Sequence, residues 1–188
     1  MSKFYDNNIL VIDIEATCWE DKNKPKDEIN EIIEIGICVV DFLNLKILSS
    51  ESILVKPQKS KISKYCTDLT TITQDMVNSG VTLSKACNLL QSKYISYRRP
   101  WLSWGEYDKN IFEKNCKEYN IKYPFGQKYI NLKNLFSVMH GLGGELGMSK
   151  AINYLGKPLL GTHHRGVDDA INIAEIFIDT VKKFRTGN

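Results

Sequence analysis

Asp13 and Glu15 stand one residue apart at the end of the apolar run Ile9 to Glu15. If that run is a strand, alternate side chains share a face, so both carboxylates project to one side, ~6 to 7 Å apart along the chain. Two ionised carboxylates this close repel each other unless donors or a cation offset the charge, and hard divalent ions prefer such oxygen ligands. A solvated strand end would carry the same triplet with no ion. Asp108 lies one turn before Ile111 and Phe112, and Asp168 and Asp169 open the last long periodic stretch. With 100° per residue, Asp168 joins Asn172, Glu175, Asp179 and Lys182 on a polar face, whereas Asp169 aligns with Ile173, Ile176 and Thr180. Asp169 is therefore expected to face protein, and an inward carboxylate needs a partner. His164 precedes it by five residues in the loop Gly161 to Gly166. Histidine is the usual base near neutral pH, but a loop histidine on which nothing converges reads as a surface residue. His140 reads as a surface residue.

These side chains need elements to hold them. Ile9 to Glu15 reads as a central strand buried on both faces, and Ile32 to Phe42 and Lys46 to Val55 as two further, antiparallel strands. Glu20 to Asn30, with Lys22, Lys24, Pro25 and Lys26, reads as a solvated loop. Amphipathic helices are expected over Thr70 to Val77 and Ser84 to Tyr97, then a strand at Trp101 to Trp104 and a helix from about Asp108. A fifth strand at Tyr129 to Asn131 precedes helices at Leu132 to His140, Ser149 to Leu155 and Gly166 to Phe184. This order implies an α/β fold with one five-stranded mixed sheet flanked by helices.

The 188 residues suit one domain, and Leu, Ile, Val and Phe at roughly 29% of the chain are enough for a sizeable core. The longest uncharged apolar stretch, Ile35 to Val40, is far short of a membrane span, and the start MSKFYDNN has no apolar signal segment. Five cysteines, an odd number without a C-x-x-C pair, argue against a disulfide framework and a thiolate zinc site. A reducing, cytoplasmic setting without a membrane is expected. A net charge of +3 permits nucleic-acid binding without requiring it.

Taken together, Asp13-Ile14-Glu15 within DIEATCW, Asp108 within SWGEYDKNIF and His164 to Asp169 within GTHHRGVDDA resemble the three motifs of the DEDDh exonucleases. The likeness runs from about residue 8 to 180 and is greatest to the branch that trims RNA 3′ ends, including histone-mRNA and small-RNA exonucleases. Leu69-Thr-Thr-Ile-Thr73 resembles that family's L-T-G-I-T element, with Thr71 where glycine is usual.

The resemblance implies a ribonuclease-H-like fold and hydrolysis of phosphodiester bonds from the 3′ end of single-stranded nucleic acid, RNA favoured, by a single domain spanning 1–188. It implies two Mg²⁺ ions per site, replaceable by Mn²⁺, held by Asp13, Glu15, Asp108 and Asp169, with His164 as general base. Backbone contacts to the terminal nucleotide are expected from Ala16, Thr17 and Cys18. Trp104 and Tyr107 are stacking candidates, although Trp104 reads equally as a buried strand residue. Lys56, Lys59, Lys61 and Lys64 read as phosphate contacts or as a solvated loop. Two alternatives share the fold: a proofreading-type DNA exonuclease, and a regulatory protein without turnover. The five catalytic-type residues weigh against the second.

Overall fold

The computed structural model describes residues 5–20 and 23–187, so the apolar-poor extreme N-terminus and Lys22 lie outside the described residues. A single five-stranded sheet runs in the order β3-β2-β1-β4-β5, with β1 (Asn8–Ala16) at its centre. β2 (Ile32–Asp41) pairs antiparallel with β1 and with the edge strand β3 (Lys46–Leu54). β4 (Trp101–Ser103) lies parallel to β1, and β5 (Tyr129–Asn131) parallel to β4.

The period of two along β1 builds two cores. Leu10, Ile12, Ile14 and Ala16 pack on one face against α3 (Leu83–Lys93) and α4 (Tyr107–Glu118). Ile9 and Val11 pack on the other against α5 (Leu132–Met139), α6 (Met148–Tyr154) and α7 (Gly166–Thr186). Asp13 and Glu15 continue this second row, so the strand carries its carboxylates toward α7.

Three expectations about elements need correction. Thr70 to Val77 is not one helix: α1 (Lys64–Thr70) and α2 (Gln74–Asn78) are separate helices, the first ended by Thr71 at φ 63°. A left-handed residue terminates a helix and is where glycine is favoured, so Thr71 takes a backbone conformation in which glycine would be less strained. The helix expected to reach Tyr97 stops at Lys93, because Ile95 turns left-handed at φ 51°. Finally, Asn172 does not lie on a solvated face. It is buried, and its amide binds both the N–H and the C=O of Leu160, so the 157–164 segment covers that side of α7.

Candidate active site

Each acidic side chain arrives by a different route. The parallel register Leu10↔Trp101 sets β4 beside β1, and the turn through Gly105 at φ 94° sends the chain directly into α4. Asp108, in the first turn of α4, then falls next to the carboxyl end of β1, where its Oδ1 accepts the Ile14 N–H at 2.9 Å. Carboxyl ends of parallel strands are where α/β sheets place ligand sites.

α7 reaches the same point because two glycines let backbones touch. Asp13 is paired with Gly36 across β1 and β2, and a Cβ on Gly36 would fall 1.9 Å from the Gly166 carbonyl oxygen. Gly36 and Gly166 thus set the first turn of α7 on the strand pair, and Asp169 follows one turn later. Asp169 Oδ2 accepts the His164 N–H at 2.9 Å, and His163 Nδ1 lies 3.1 Å from both carboxylate oxygens. The other His163 ring nitrogen meets Ser149 Oγ at 3.2 Å. Asp168 points the opposite way and accepts the Thr162 N–H at 2.8 Å, closing the loop.

One oxygen each from Asp13, Glu15 and Asp169 lie within 4.8 Å of one another, and so do ligand atoms of His163, His164 and Asp169. Glu15, Asp108 and Asp169 are all buried, and Asp13 is half-buried. Burial, then the charges of Asp108 and Asp169, holds the Asp13 carboxyl well above the ordinary range. Burial and the nearby Asp169 push Glu15 up to about 8. Asp108 is buried too, yet backbone donors limit it to about 6. Burial also raises Asp169 and lowers His164, so the His164 imidazole is the more readily neutral. Four convergent, desolvated carboxylates with so few donors fit hard divalent cations, which coordinate carboxylate oxygen and retain water.

A cleft of about 370 Å³ opens over these groups. Asp13, Glu15, Asp108, His164 and Asp169 line it together with Ala16, Cys18, Trp104 and Tyr107. Thr17 does not line it. It is buried, its N–H donates to the Glu31 carbonyl at 2.8 Å and its carbonyl accepts from Asn30 at 2.7 Å. The expected backbone contact from Thr17 is therefore already used within the fold. Trp104 is not a buried strand residue: it lies just past β4 and is half-buried, with its ring lining the cleft and its Nε1 donating to the Leu146 carbonyl at 3.1 Å. Tyr107 is 52% exposed.

Leu69, Met148 and His163 line the cleft without having been assigned to it. Leu69 belongs to the L-T-T-I-T element, which was the available signal. His163 lacks the five-residue spacing to Asp169, but the left-handed backbone of His164 at φ 64° folds the two rings together, 3.9 Å apart. No helical or strand periodicity reports such a turn. Of the lysine cluster, Lys59 is paired with Glu118 and Lys64 with Asp68, so half of it is committed to surface ion pairs.

Residues 10–177 match a family model described as exonuclease, of the RNase T type. The probable 3′–5′ exonuclease KapD of Bacillus subtilis is 29% identical over 172 residues, covering 91% of this chain and 83% of KapD. Human 3′–5′ exoribonuclease 1 is 30% identical over 184 residues, covering 93% of this chain but only 52% of the human protein. The chain thus spans about half the length of that relative. The crystal structure of the nuclease domain of 3′hExo, a DEDDh family member bound to rAMP, superposes with a TM-score of 0.81 at 28% identity, covering 97% of this chain and 94% of that domain. A 3′-exonuclease structure concerned with histone mRNA stem-loop recognition gives a TM-score of 0.83 at 27% identity, over 97% of this chain and 67% of that one. With the family match extending over nearly the whole sheet and the acidic residues and histidines gathered in one cleft, the chain belongs to the exonuclease family, in its DEDDh class of 3′–5′ exonucleases.

Proposed function

We propose that residues 1–188 act as one exonuclease unit that shortens single-stranded RNA stepwise from its 3′ end, using two divalent ions, Mg²⁺ in the cell and Mn²⁺ as a substitute. The observation that carries this reading is the cleft in which Asp13, Glu15, Asp108 and Asp169 converge beside a histidine pair. The names of the relatives support RNA over DNA, since human 3′–5′ exoribonuclease 1 is a ribonuclease by name and the 3′hExo domain was solved with rAMP.

Divalent ions bound here would polarise the scissile phosphate and activate a water for in-line attack. Asp13, Glu15 and Asp169 would hold one ion, and Asp13 with Asp108 a second. Of the two histidines, His163 has both ring nitrogens engaged, by Asp169 and Ser149. His164 lines the cleft with its ring stacked on His163, and among the described residues no hydrogen bond engages that ring. That difference, together with the H-x4-D spacing, supports His164 as the group that takes the water's proton. Ala16 and Cys18 would abut the terminal nucleotide, and the exposed ring of Tyr107, with Trp104 behind it, would stack on a base. Five free thiols support a reducing compartment, the cytoplasm, and no helix among the described residues is long and apolar enough to cross a membrane.

The test is a time course on 5′-labelled single-stranded RNA and DNA of matched sequence with Mg²⁺, Mn²⁺ or EDTA. A ladder shortening from the 3′ end of RNA, abolished by EDTA, is the expected result. Undiminished cleavage in EDTA, or internal cuts from the first time point, would overturn the mechanism; a preference for DNA would overturn the substrate.

A further inference from the structure

We propose that Glu34 and Arg165 form a charged clamp between β2 and the start of α7, and that this clamp positions Asp169 and the His163–His164 loop against Asp13 and Glu15. The proposal rests on the metal-dependent reading of the cleft, but neither residue touches substrate or metal in it. Glu34 is completely buried and sits directly across the β1–β2 pair from Glu15. Its Oε2 accepts Arg165 Nε at 3.1 Å and the Gly166 N–H at 2.8 Å, while its Oε1 accepts Arg165 Nη2 at 3.0 Å and the Ser52 hydroxyl.

The geometry assigns this pair more than packing. The N-cap residue of α7 is Arg165 itself, and its side chain does not cap the helix. The first N–H of α7 is instead taken by a carboxylate from a neighbouring strand, which fixes the helix start to β2 rather than to its own loop. Asp169 follows three residues after Gly166, so the clamp sets the distance between that carboxylate and β1. Arg165 is also the residue after His164, whose backbone is left-handed at φ 64° and whose N–H is bound to Asp169. With Arg165 held in a two-bond fork, the backbone on both sides of that turn is tethered. The guanidinium further offsets a buried charge that would otherwise face the metal-binding carboxylates, and its hydrogen bonds hold the Glu34 carboxyl below its ordinary range against the effect of burial.

Partners that orient metal-binding residues typically change metal affinity or activity by about 10- to 100-fold when removed. The test compares Arg165→Gln, Arg165→Lys and the double variant Glu34→Gln/Arg165→Gln, which removes both charges of the clamp. Each is measured for melting temperature, for Mn²⁺ affinity by calorimetry without RNA, and for kcat and KM on single-stranded RNA. Arg165→Gln is expected to lose about tenfold or more in both Mn²⁺ affinity and kcat with KM within about twofold, and Arg165→Lys to recover part of both. The double variant is expected to lose about as much as Arg165→Gln, since both break one coupled unit. Folded variants with Mn²⁺ affinity and kcat within about twofold of wild type would overturn the clamp. So would a rise in KM with kcat unchanged. If Arg165→Gln does not fold, the lysine and double variants decide by the same criteria. If the wild type binds Mn²⁺ but does not shorten RNA, the functional reading fails while the calorimetry still decides the clamp. A wild type that neither binds nor cuts overturns both.

Discussion

Glu15 links the chemistry of the cleft to stability in a way that can be measured without substrate. Its carboxyl is pushed from an ordinary 4.5 to about 8, first by burial and then by the charges of Asp169 and Glu34. A carboxyl with a raised folded-state pKa binds more protons folded than unfolded, so the metal-free protein loses stability as pH rises from about 4.5 through about 8. A shift of that size corresponds to roughly 5 kcal/mol at full ionisation. For a chain of this length, each kcal/mol moves the melting temperature by about 2 to 4 °C, so a fall of about 10 °C is expected between pH 5 and pH 8.5 in EDTA. Asp13 and Asp169 are raised as well and push in the same direction. Cations compete with the protons, so millimolar Mg²⁺ is expected to restore stability most at high pH and little at pH 5. Thermal melts at five pH values, with EDTA or Mg²⁺, for wild type and Glu15→Gln, check this. Glu15→Gln is expected to flatten the EDTA profile. An EDTA profile already flat in the wild type, or a Mg²⁺ gain equal at pH 5 and pH 8.5, would refute the reasoning.

Other substitutions probe the positions of the side chains. Asp169→Asn is expected to abolish turnover, whereas Asp168→Asn keeps most of it, because the amide oxygen can still accept the Thr162 N–H; equal losses in a nuclease assay would contradict the helix phase. His164→Ala is expected to lose ~10² to 10⁴-fold in single-turnover rate with metal affinity nearly intact, while Asp13→Ala weakens metal binding itself. His163→Ala touches Asp169 and is expected to cost less rate than His164→Ala; the opposite order would make His163 the base. Gly36→Ala drives a methyl into the Gly166 carbonyl and is expected to cost about 1 to 3 kcal/mol in urea melts, together with a loss of kcat that persists in the folded fraction.

Much of the site was legible because its signals are local. A period of two places Asp13 and Glu15 on one face of β1, and 100° steps along α7 separate Asp169 from Asp168; both follow from chain geometry alone. The mixed sheet was legible from the order of apolar runs. What could not be read was how separate elements meet. The Gly36 to Gly166 contact joins residues 130 positions apart, and nothing in either neighbourhood specifies the other. The surroundings of Thr17 were not legible for a similar reason. It sits between two cleft residues, but its polar groups are taken by Ile29, Asn30 and Glu31 across the loop. A signal for Glu34 existed and was not used: a carboxylate inside the run Ile32 to Phe42, on a strand expected to be buried, requires a partner.

The carboxylates of the cleft are not equivalent, and the difference identifies where a cation matters most. Asp108 and Asp169 stand in the first turns of α4 and α7, where a helix N-terminus favours negative charge by about 0.3 to 1 kcal/mol. Asp108 also accepts a backbone N–H from β1, and its pKa rises only to about 6. Asp169 accepts one from His164 and lies against the His163 ring. Glu15 has no helix end, and among the described residues no hydrogen-bond donor reaches its carboxylate. Burial and the charges of Asp169 and Glu34 raise its pKa to about 8, so without a cation the fold keeps Glu15 mainly protonated at neutral pH. A divalent ion shared with Asp13 and Asp169, as proposed above, would supply the missing compensation, and ionising Glu15 and binding that ion would then be one coupled event.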